Sequence, residues 1–453
     1  MKKKRGFLCA AAMLLGLCPA LFAGCETGSV PTTKELRVGV LSDVHIGFHS
    51  TYQQSERFEK ALNFYKNKGV DAIIVAGDLQ DHWTTPQYDM ADQIGWIEEF
   101  TDIWFRVFPD GKNDKTGETV VPLLIYGNHD EDLCAEQYWP ERFGSYSDAF
   151  LTEVKGYQFV GAHYTKEDSA IPLISKAAAQ AEKDGKPFFY IQHLPLNGTV
   201  LGSSAGLKDT GNTAFDALEK CSNAVVFTGH THIPLTDERS IWQASNKKQA
   251  RFTAINTATI NYSWIASYTS MSINGIPDDT QQGMYMVVDG SQITIERYSF
   301  YGEENTNGVP IGQVWRFDAC DRNDRPYSYD ARYELAQAPE FAEDAELEVA
   351  YIGPRFVNLL IPAARLTPPE GMSDMIHSYI VEAVDPQTGE VVATGEAATQ
   401  HHIDTDASRL RGPYFVALEG LEPGKTYILN AYAREFYQKR GEPLTVQITT
   451  LEE

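Results

Sequence analysis

Five short clusters in this chain hold residues that bind metal ions or move protons. They are Ser42-Asp43-Val44-His45, Gly77-Asp78-Leu79-Gln80-Asp81, Gly127-Asn128-His129-Asp130, Gln192-His193 and Gly229-His230-Thr231-His232. Imidazole is the commonest metal-binding side chain at neutral pH. Asp43, His45, Asp78, Asn128, His193, His230 and His232 offer more ligands than one tetrahedral ion accepts, and a suitable number for two ions sharing a carboxylate. Mixed carboxylate, amide and imidazole donors suit Mn, Fe or Zn better than Ca or Mg. Two such ions roughly 3.5–4 Å apart can clamp a phosphoryl group, holding the attacking hydroxide and offsetting charge on the transferring oxygens. His129 lies among these ligands, where an imidazole can protonate a leaving alkoxide. An acidic neighbour would keep that ring oriented and protonated, with Asp130 a secondary candidate for that support.

Each cluster ends an apolar run, which identifies the elements that must position it. The runs Glu35–Leu41, Ala72–Ala76, Val120–Tyr126, Pro187–Ile191 and Ala224–Phe227 read as strands. Their continuous apolar character suits a sheet covered on both faces. Asp and His two apart at a strand end would point the same way. Helices are expected at about 55–68, capped by Gly69, and at about 87–105, 174–183 and 213–220. Gln158–Ala162 reads as a weaker strand. Alternating strands and helices imply an α/β core, in which ligands gather at the carboxyl ends of the strands. Phe252–Ile260, Met284–Val288 and Ile293–Ser299 read as strands with no helices between them, a β-rich closing layer.

The ordered pattern Asp-x-His, Gly-Asp-x-x-Asp, Gly-Asn-His-Asp, His, Gly-His-x-His, spread over Asp43 to His232, resembles the calcineurin-like metallophosphoesterases. The resemblance implies an α/β fold, a four-layer α/β/β/α sandwich with a dimetal centre. One metal would take Asp43, His45 and His232, and the other Asn128, His193 and His230, with Asp78 bridging. His129 would sit beside the phosphate as proton donor or charge stabiliser, oriented by Asp81. Purple acid phosphatases carry Tyr where this chain has Asp81, and protein Ser/Thr phosphatases carry Arg-Gly where it has His82-Trp83. The pattern is most similar to the subset with cyclic-nucleotide and other small phosphodiesterases.

The chain has 453 residues, which favours more than one domain. Met1–Arg5 is basic, Phe7–Leu17 is apolar, and Leu21-Phe22-Ala23-Gly24-Cys25 is similar to a bacterial lipoprotein signal cleaved before Cys25. The expected organisation is a signal peptide at 1–24, a lipidated Cys25 and tether at 25–35, a metallophosphoesterase domain at 36–304, an extended connection at 305–338 and an all-β domain at 339–453. The last resembles a fibronectin type III sandwich. It has seven short strand-like runs, and Leu421-Glu422-Pro423-Gly424-Lys425-Thr426-Tyr427 matches that family's tyrosine corner. The acidic run 340–348 reads as a solvated face.

These features point to a protein exported to a bacterial cell envelope, held at the membrane by a lipid on Cys25, with the C-terminal domain available for envelope or glycan contact. The net charge of -24 argues against nucleic-acid binding. Six cysteines are present, and Cys134, Cys221 and Cys320 lie beyond the signal; they read as buried free thiols. His49, His82, His163, His377, His401 and His402 stand outside the pattern and read as structural, with His82 the nearest to a substrate. Trp83, Trp139, Tyr262 and Trp264 are aromatic candidates for a pocket wall. Two functions follow. One is a phosphoesterase acting on mono- or diesters by attack of metal-bound hydroxide. The other is a silent binding or adhesion lipoprotein that keeps the phosphoesterase fold as a scaffold.

Overall fold

The computed structural model describes residues 35–48, 53–82, 90–130, 137–203, 210–245, 251–265, 280–302, 307–321, 323–372, 375–402 and 412–453. Strands β1 (Leu36–Leu41), β2 (Ala72–Ala76) and β3 (Val121–Ile125) form where the apolar runs predicted them. They pair in parallel, and the intervening helices α1 (Gln54–Lys68) and α2 (Met90–Val107) cover their outer face. Phe58, Leu62 and Tyr65 of α1 are fully buried there, each contributing about 1.5–3 kcal/mol of hydrophobic stabilisation. Gly69 ends α1 in the left-handed conformation (φ 70°), with its N–H on the last-turn carbonyls.

The second sheet runs β4-β5-β6-β7-β9-β8. Its strands are β4 (Ala149–Val154), β5 (Tyr157–Ala162), β6 (Phe188–Gln192), β7 (Ala224–Thr228), β8 (Ile241–Gln243) and β9 (Thr253–Asn256). Helices Ile171–Asp184 and Phe215–Glu219 cover its outer face. The inner faces of the two sheets share one apolar core, including Val38, Ile74 and Ile125 from one and Phe159, Phe189 and Phe227 from the other. This is the α/β/β/α layering.

The expected closing layer does not exist as a layer. β8 and β9 join the second sheet, whereas β10 (Gln282–Asp289) and β11 (Gln292–Ser299) join the first. β9 continues the second sheet in parallel with β7, and β10 pairs antiparallel with β1. The connection is also less bare than its composition suggested. β12 (Val309–Pro310) and β13 (Trp315–Asp318) pair with β11, and Tyr329–Leu335 is helical. Cys221 and Cys320 are free thiols but half-buried rather than buried; Cys134 lies outside the described residues, as do Cys25, His49 and Trp83.

The C-terminal part is a two-sheet β-sandwich. Strands β14 (Glu348–Ile352), β15 (Phe356–Ile361) and β18 (Tyr414–Glu419) face β16 (Ser378–Val384), β17 (Val391–Ala398), β19 (Thr426–Arg434) and β20 (Leu444–Thr449) across one core. The Tyr427 hydroxyl accepts the Glu422 N–H at 3.0 Å, forming the corner read from the sequence. The acidic side chains of 340–348 are exposed. Lys34–Glu453 form one unit, in which the sandwich packs on the α/β part. No described helix is long and apolar enough to cross a membrane.

His401 is buried where these two parts meet, near Asp237 and Arg239 of the α/β part and His402, with rings 5.3 Å from His377 and 5.2 Å from Phe436. Burial pushes its pKa down to about 3, although Asp237 opposes the shift. An unfolded histidine titrates near 6.5. Between these values the unfolded state binds the extra proton, so this site's contribution to stability is intact above about pH 6.5 and declines as pH falls. Urea unfolding from pH 7.5 to 5 is expected to show a loss of up to about 1.4 kcal/mol per pH unit from this site, diminished in His401→Gln.

Candidate metal centre

All five clusters fall at the carboxyl ends of β1, β2 and β3 in the first sheet and of β6 and β7 in the second. Continued strand alternation does not aim the side chains. Asp43, His45, Asp78, His230 and His232 all adopt left-handed backbone, with φ between 52° and 66°. That conformation costs a non-glycine residue roughly 1–2 kcal/mol. Such strain persists where surrounding contacts over-determine it, and it concentrates at functional sites. The contacts here are explicit. Asp43 N–H donates to the Gly77 carbonyl, Val44 and His45 N–H to the Asp78 carbonyl, and Gly229 N–H to the His193 carbonyl. His230 N–H reaches both carboxylate oxygens of Asp43 at 3.2 Å.

Asp43, His45, Asp78 and His232 are buried, and their ligand atoms lie within 4.8 Å of one another. His232 Nε2 is 2.9 Å from Asp43 Oδ1 and 3.2 Å from His45 Nε2. Asp78 Oδ2 lies 3.6 Å from His45 Nε2 and 3.2 Å from His193 Nε2. His193 Nε2 is 2.9 Å from Asn128 Oδ1, and the His193 and His230 rings are 5.2 Å apart. Asp78 therefore stands between one group, Asp43-His45-His232, and another, Asn128-His193-His230.

The residues fit metal ions on three grounds. His193 Nδ1–H donates to the Ala76 carbonyl at 2.8 Å and His232 Nδ1–H to the Tyr262 carbonyl at 2.7 Å, which leaves each Nε2 to face the centre. Asp78 Oδ2 is buried and faces imidazole nitrogens, those of His193 at 3.2 Å and His45 at 3.6 Å, from two ligand clusters. Ligand atoms about 2.1 Å from one ion and at right angles would stand about 3 Å apart, near the spacing of these pairs. The electrostatics agree. Burial opposes charge on Asp43 and Asp78, yet the surrounding imidazoles hold both carboxyls well below their usual range. Burial likewise opposes charge on His193, but Asp78 and Asp43 carry its pKa up to about 9. Protons held this way compete with metal ions for the same atoms.

His129 sits at the rim, about one-fifth exposed, and its Nδ1–H donates to Asp81 Oδ1 at 2.6 Å. Burial would lower its pKa, but the Asp81 and Asp78 carboxylates raise it above the usual imidazole value. His129 N–H also donates to Asp78 Oδ1 at 2.9 Å, and the ring meets that of His45 edge-on at 4.7 Å. The half-buried His82 donates from Nδ1 to the His129 carbonyl at 2.7 Å.

Asp130 does not support His129. Its Oδ1 accepts Gln80 N–H at 2.9 Å and its Oδ2 accepts Gly127 N–H at 2.7 Å, so it ties the β2 turn to the β3 turn. Burial, together with nearby Asp78, raises its pKa well above the carboxylate norm. The strand expected over Phe252–Ile260 ends at Asn256, and 257–264 form a loop that backs the centre. Thr259 Oγ1–H donates to the Asp43 carbonyl at 3.1 Å, Thr257 Oγ1–H to Ser42 Oγ at 2.7 Å, and Tyr262 supplies the carbonyl for His232. The available signal was a polar Asn-Thr-Ala-Thr run after an apolar strand. Of the flagged aromatics, the Tyr262 and Trp264 rings lie 4.4 and 6.3 Å from His232. Trp139 instead lines a separate cavity of about 190 Å³ beside Tyr126, Tyr146 and His163.

A β-carbon on Gly127 would overlap Asp78 Oδ1 and stand 2.7 Å from the Asp78 backbone nitrogen. Gly127→Ala is expected to displace Asp78, weakening metal binding by tenfold or more, by analogy with the roughly 10–100-fold effect of disturbing partners around metal ligands. Metal titration followed by elemental analysis checks it.

The layering and the ring of buried carboxylates and imidazoles define a metallophosphoesterase sandwich. Residues 36–234 match the family described as Calcineurin-like phosphoesterase, and this stretch is a calcineurin-like metallophosphoesterase domain. Solved structures similar to the chain include a dimetal phosphatase from Danio rerio, at 10% identity and TM-score 0.40, covering 58% of this chain and 96% of that one. A purple acid phosphatase from yellow lupin seeds is similar at 13% identity and TM-score 0.37, covering 62% and 53%. A human fibronectin type III domain matches at 18% identity and TM-score 0.16, covering 26% and 88%. No curated protein matches the chain.

Proposed function

We propose that the protein is a phosphoesterase that hydrolyses phosphate mono- or diesters at a dimetal centre. The observation that carries this reading is the buried convergence of Asp43, His45, Asp78 and His232, with His193 beside Asp78. Asp43, His45 and His232 would hold one ion, Asn128, His193 and His230 the other, and Asp78 both. Bound Mn, Fe or Zn would supply charge neutralisation on the phosphoryl oxygens and an acidified water. The residues of the chain supply the rest. The strained ligand turns hold the donor atoms in place before substrate arrives, which limits rearrangement during reaction. Asp81 orients His129 through Nδ1, leaving Nε2 to protonate the departing oxygen. Export and lipid attachment at Cys25, and envelope contact by the C-terminal sandwich, belong to the proposal on sequence grounds.

The test is hydrolysis of p-nitrophenyl phosphate and bis-p-nitrophenyl phosphate by the chain from Glu26 onward, with Mn, with Zn and with chelator. Metal-dependent turnover supports the reading, and the ratio of the two rates gives the ester class. A folded chain that binds no transition ion and turns over neither ester would favour the scaffold function instead.

A further inference from the structure

Resting on that dimetal reading, we infer that the C-terminal sandwich positions the Gly229–His232 ligand turn, through Gln282 and Tyr437. The turn places His230 and His232 in left-handed backbone, at φ 66° and 52°. A strained turn keeps its geometry only if both ends are fixed. Its upstream end is β7, locked between β6 and β9. Its downstream end, 233–240, has no strand of its own before β8 and is held by the Trp264 N–H on the His232 carbonyl, the Leu201 N–H on the Arg239 carbonyl and several side chains, Asn256 on the Ile233 carbonyl among them.

Three of those attachments lead to the sandwich. Leu235 N–H donates to Gln282 Oε1 at 2.6 Å, and the same side chain donates from Nε2 to the His402 carbonyl at 3.0 Å. The Tyr437 hydroxyl donates to the Glu238 carbonyl at 3.1 Å. The Glu238 carboxylate lies 3.6 Å from both Arg297 and Arg332, and Arg332 donates to the Gly371 carbonyl at 2.8 Å. Tyr437 is held in a buried apolar cluster with Phe436, Met372, Met375 and Ala336. Gln282 and Glu238 are both about 1% exposed, so these bonds form out of water, where losing a partner is costly. His232 lies only three residues before Leu235 and six before Glu238. Gln282 and Tyr437 are thus positioning residues: they touch no ligand atom but fix the chain that carries two ligands.

The experiment compares Tyr437→Phe and Gln282→Met with Tyr427→Phe in the full mature chain. Tyr427→Phe also removes one tyrosine hydroxyl bond, part-buried and at the sandwich corner away from the turn. Mn(II) and Zn(II) titrations are run beside thermal unfolding. Tyr437→Phe and Gln282→Met are expected to weaken both ions about tenfold, because the turn gives His232 to one and His230 to the other, and tenfold is the lower end of outer-partner effects at metal sites. Tyr427→Phe should leave both ions within about twofold of wild type even if its Tm falls as far. If all three variants leave metal affinity equal, or lower it only in step with Tm, the inference is overturned. If the wild type binds no transition ion, the dimetal reading fails, and hydrogen exchange at 229–236 decides the inference by itself. Faster exchange in Tyr437→Phe than in Tyr427→Phe supports it, and equal exchange overturns it. If Gln282→Met does not fold, Tyr437→Phe carries the comparison alone.

Discussion

On the proposed dimetal reading, Asp78→Asn is expected to leave a folded protein that cannot hold a metal pair and hydrolyses phosphate esters on the order of 10³-fold more slowly or worse, the scale set by removing several kcal/mol of charge stabilisation. The two oxygens of Asp78 have separate tasks. Oδ1 accepts the His129 N–H at 2.9 Å, and an asparagine carbonyl can keep that bond. The amide nitrogen would then occupy the place of Oδ2, which faces His45 Nε2 at 3.6 Å and His193 Nε2 at 3.2 Å. A neutral donor would replace the anionic acceptor both ions need. Elemental analysis should show the loss of bound metal, and circular dichroism an unchanged fold. Full metal content in Asp78→Asn would contradict a bridging role.

His129→Ala should separate proton delivery from metal binding. General-acid assistance is worth about 10²–10⁴-fold, and only where the leaving oxygen needs a proton. An alkyl phosphate ester should therefore slow by about that factor, while a p-nitrophenyl ester, whose phenolate leaves readily as an anion, should slow much less. Metal content should be unchanged. Asp81→Asn should move in the same direction by a smaller amount, because it loosens the ring without removing it. An equal loss for both esters would instead assign His129 to charge stabilisation on the phosphoryl group.

Which ligand-type residues were available, and roughly where each would sit, was legible from composition and spacing. Five polar clusters, each after an apolar run, placed Asp43, Asp78, Asn128, His193 and His230 at strand ends, because apolar runs form buried strands and polar turns end them. The Tyr427 corner was legible from its motif, because the contact it makes spans only five residues. Whatever depends on partners distant in the chain emerged only from the packed fold. Asp130 adjoins His129 in sequence and Asp81 lies 48 residues away, yet Asp130 is bound to the backbone of Gln80 and Gly127 while Asp81 meets the ring, as the family resemblance implied. The strands after β7 divide between two sheets because β9 finds β7 and β10 finds β1, pairings that no local period encodes. The left-handed backbone of five ligand residues, with Thr259, Tyr262, Gln282 and Tyr437 behind them, is likewise out of reach of sequence. Such strain has no sequence signature of its own, since it exists only where long-range contacts outweigh the local preference of each residue.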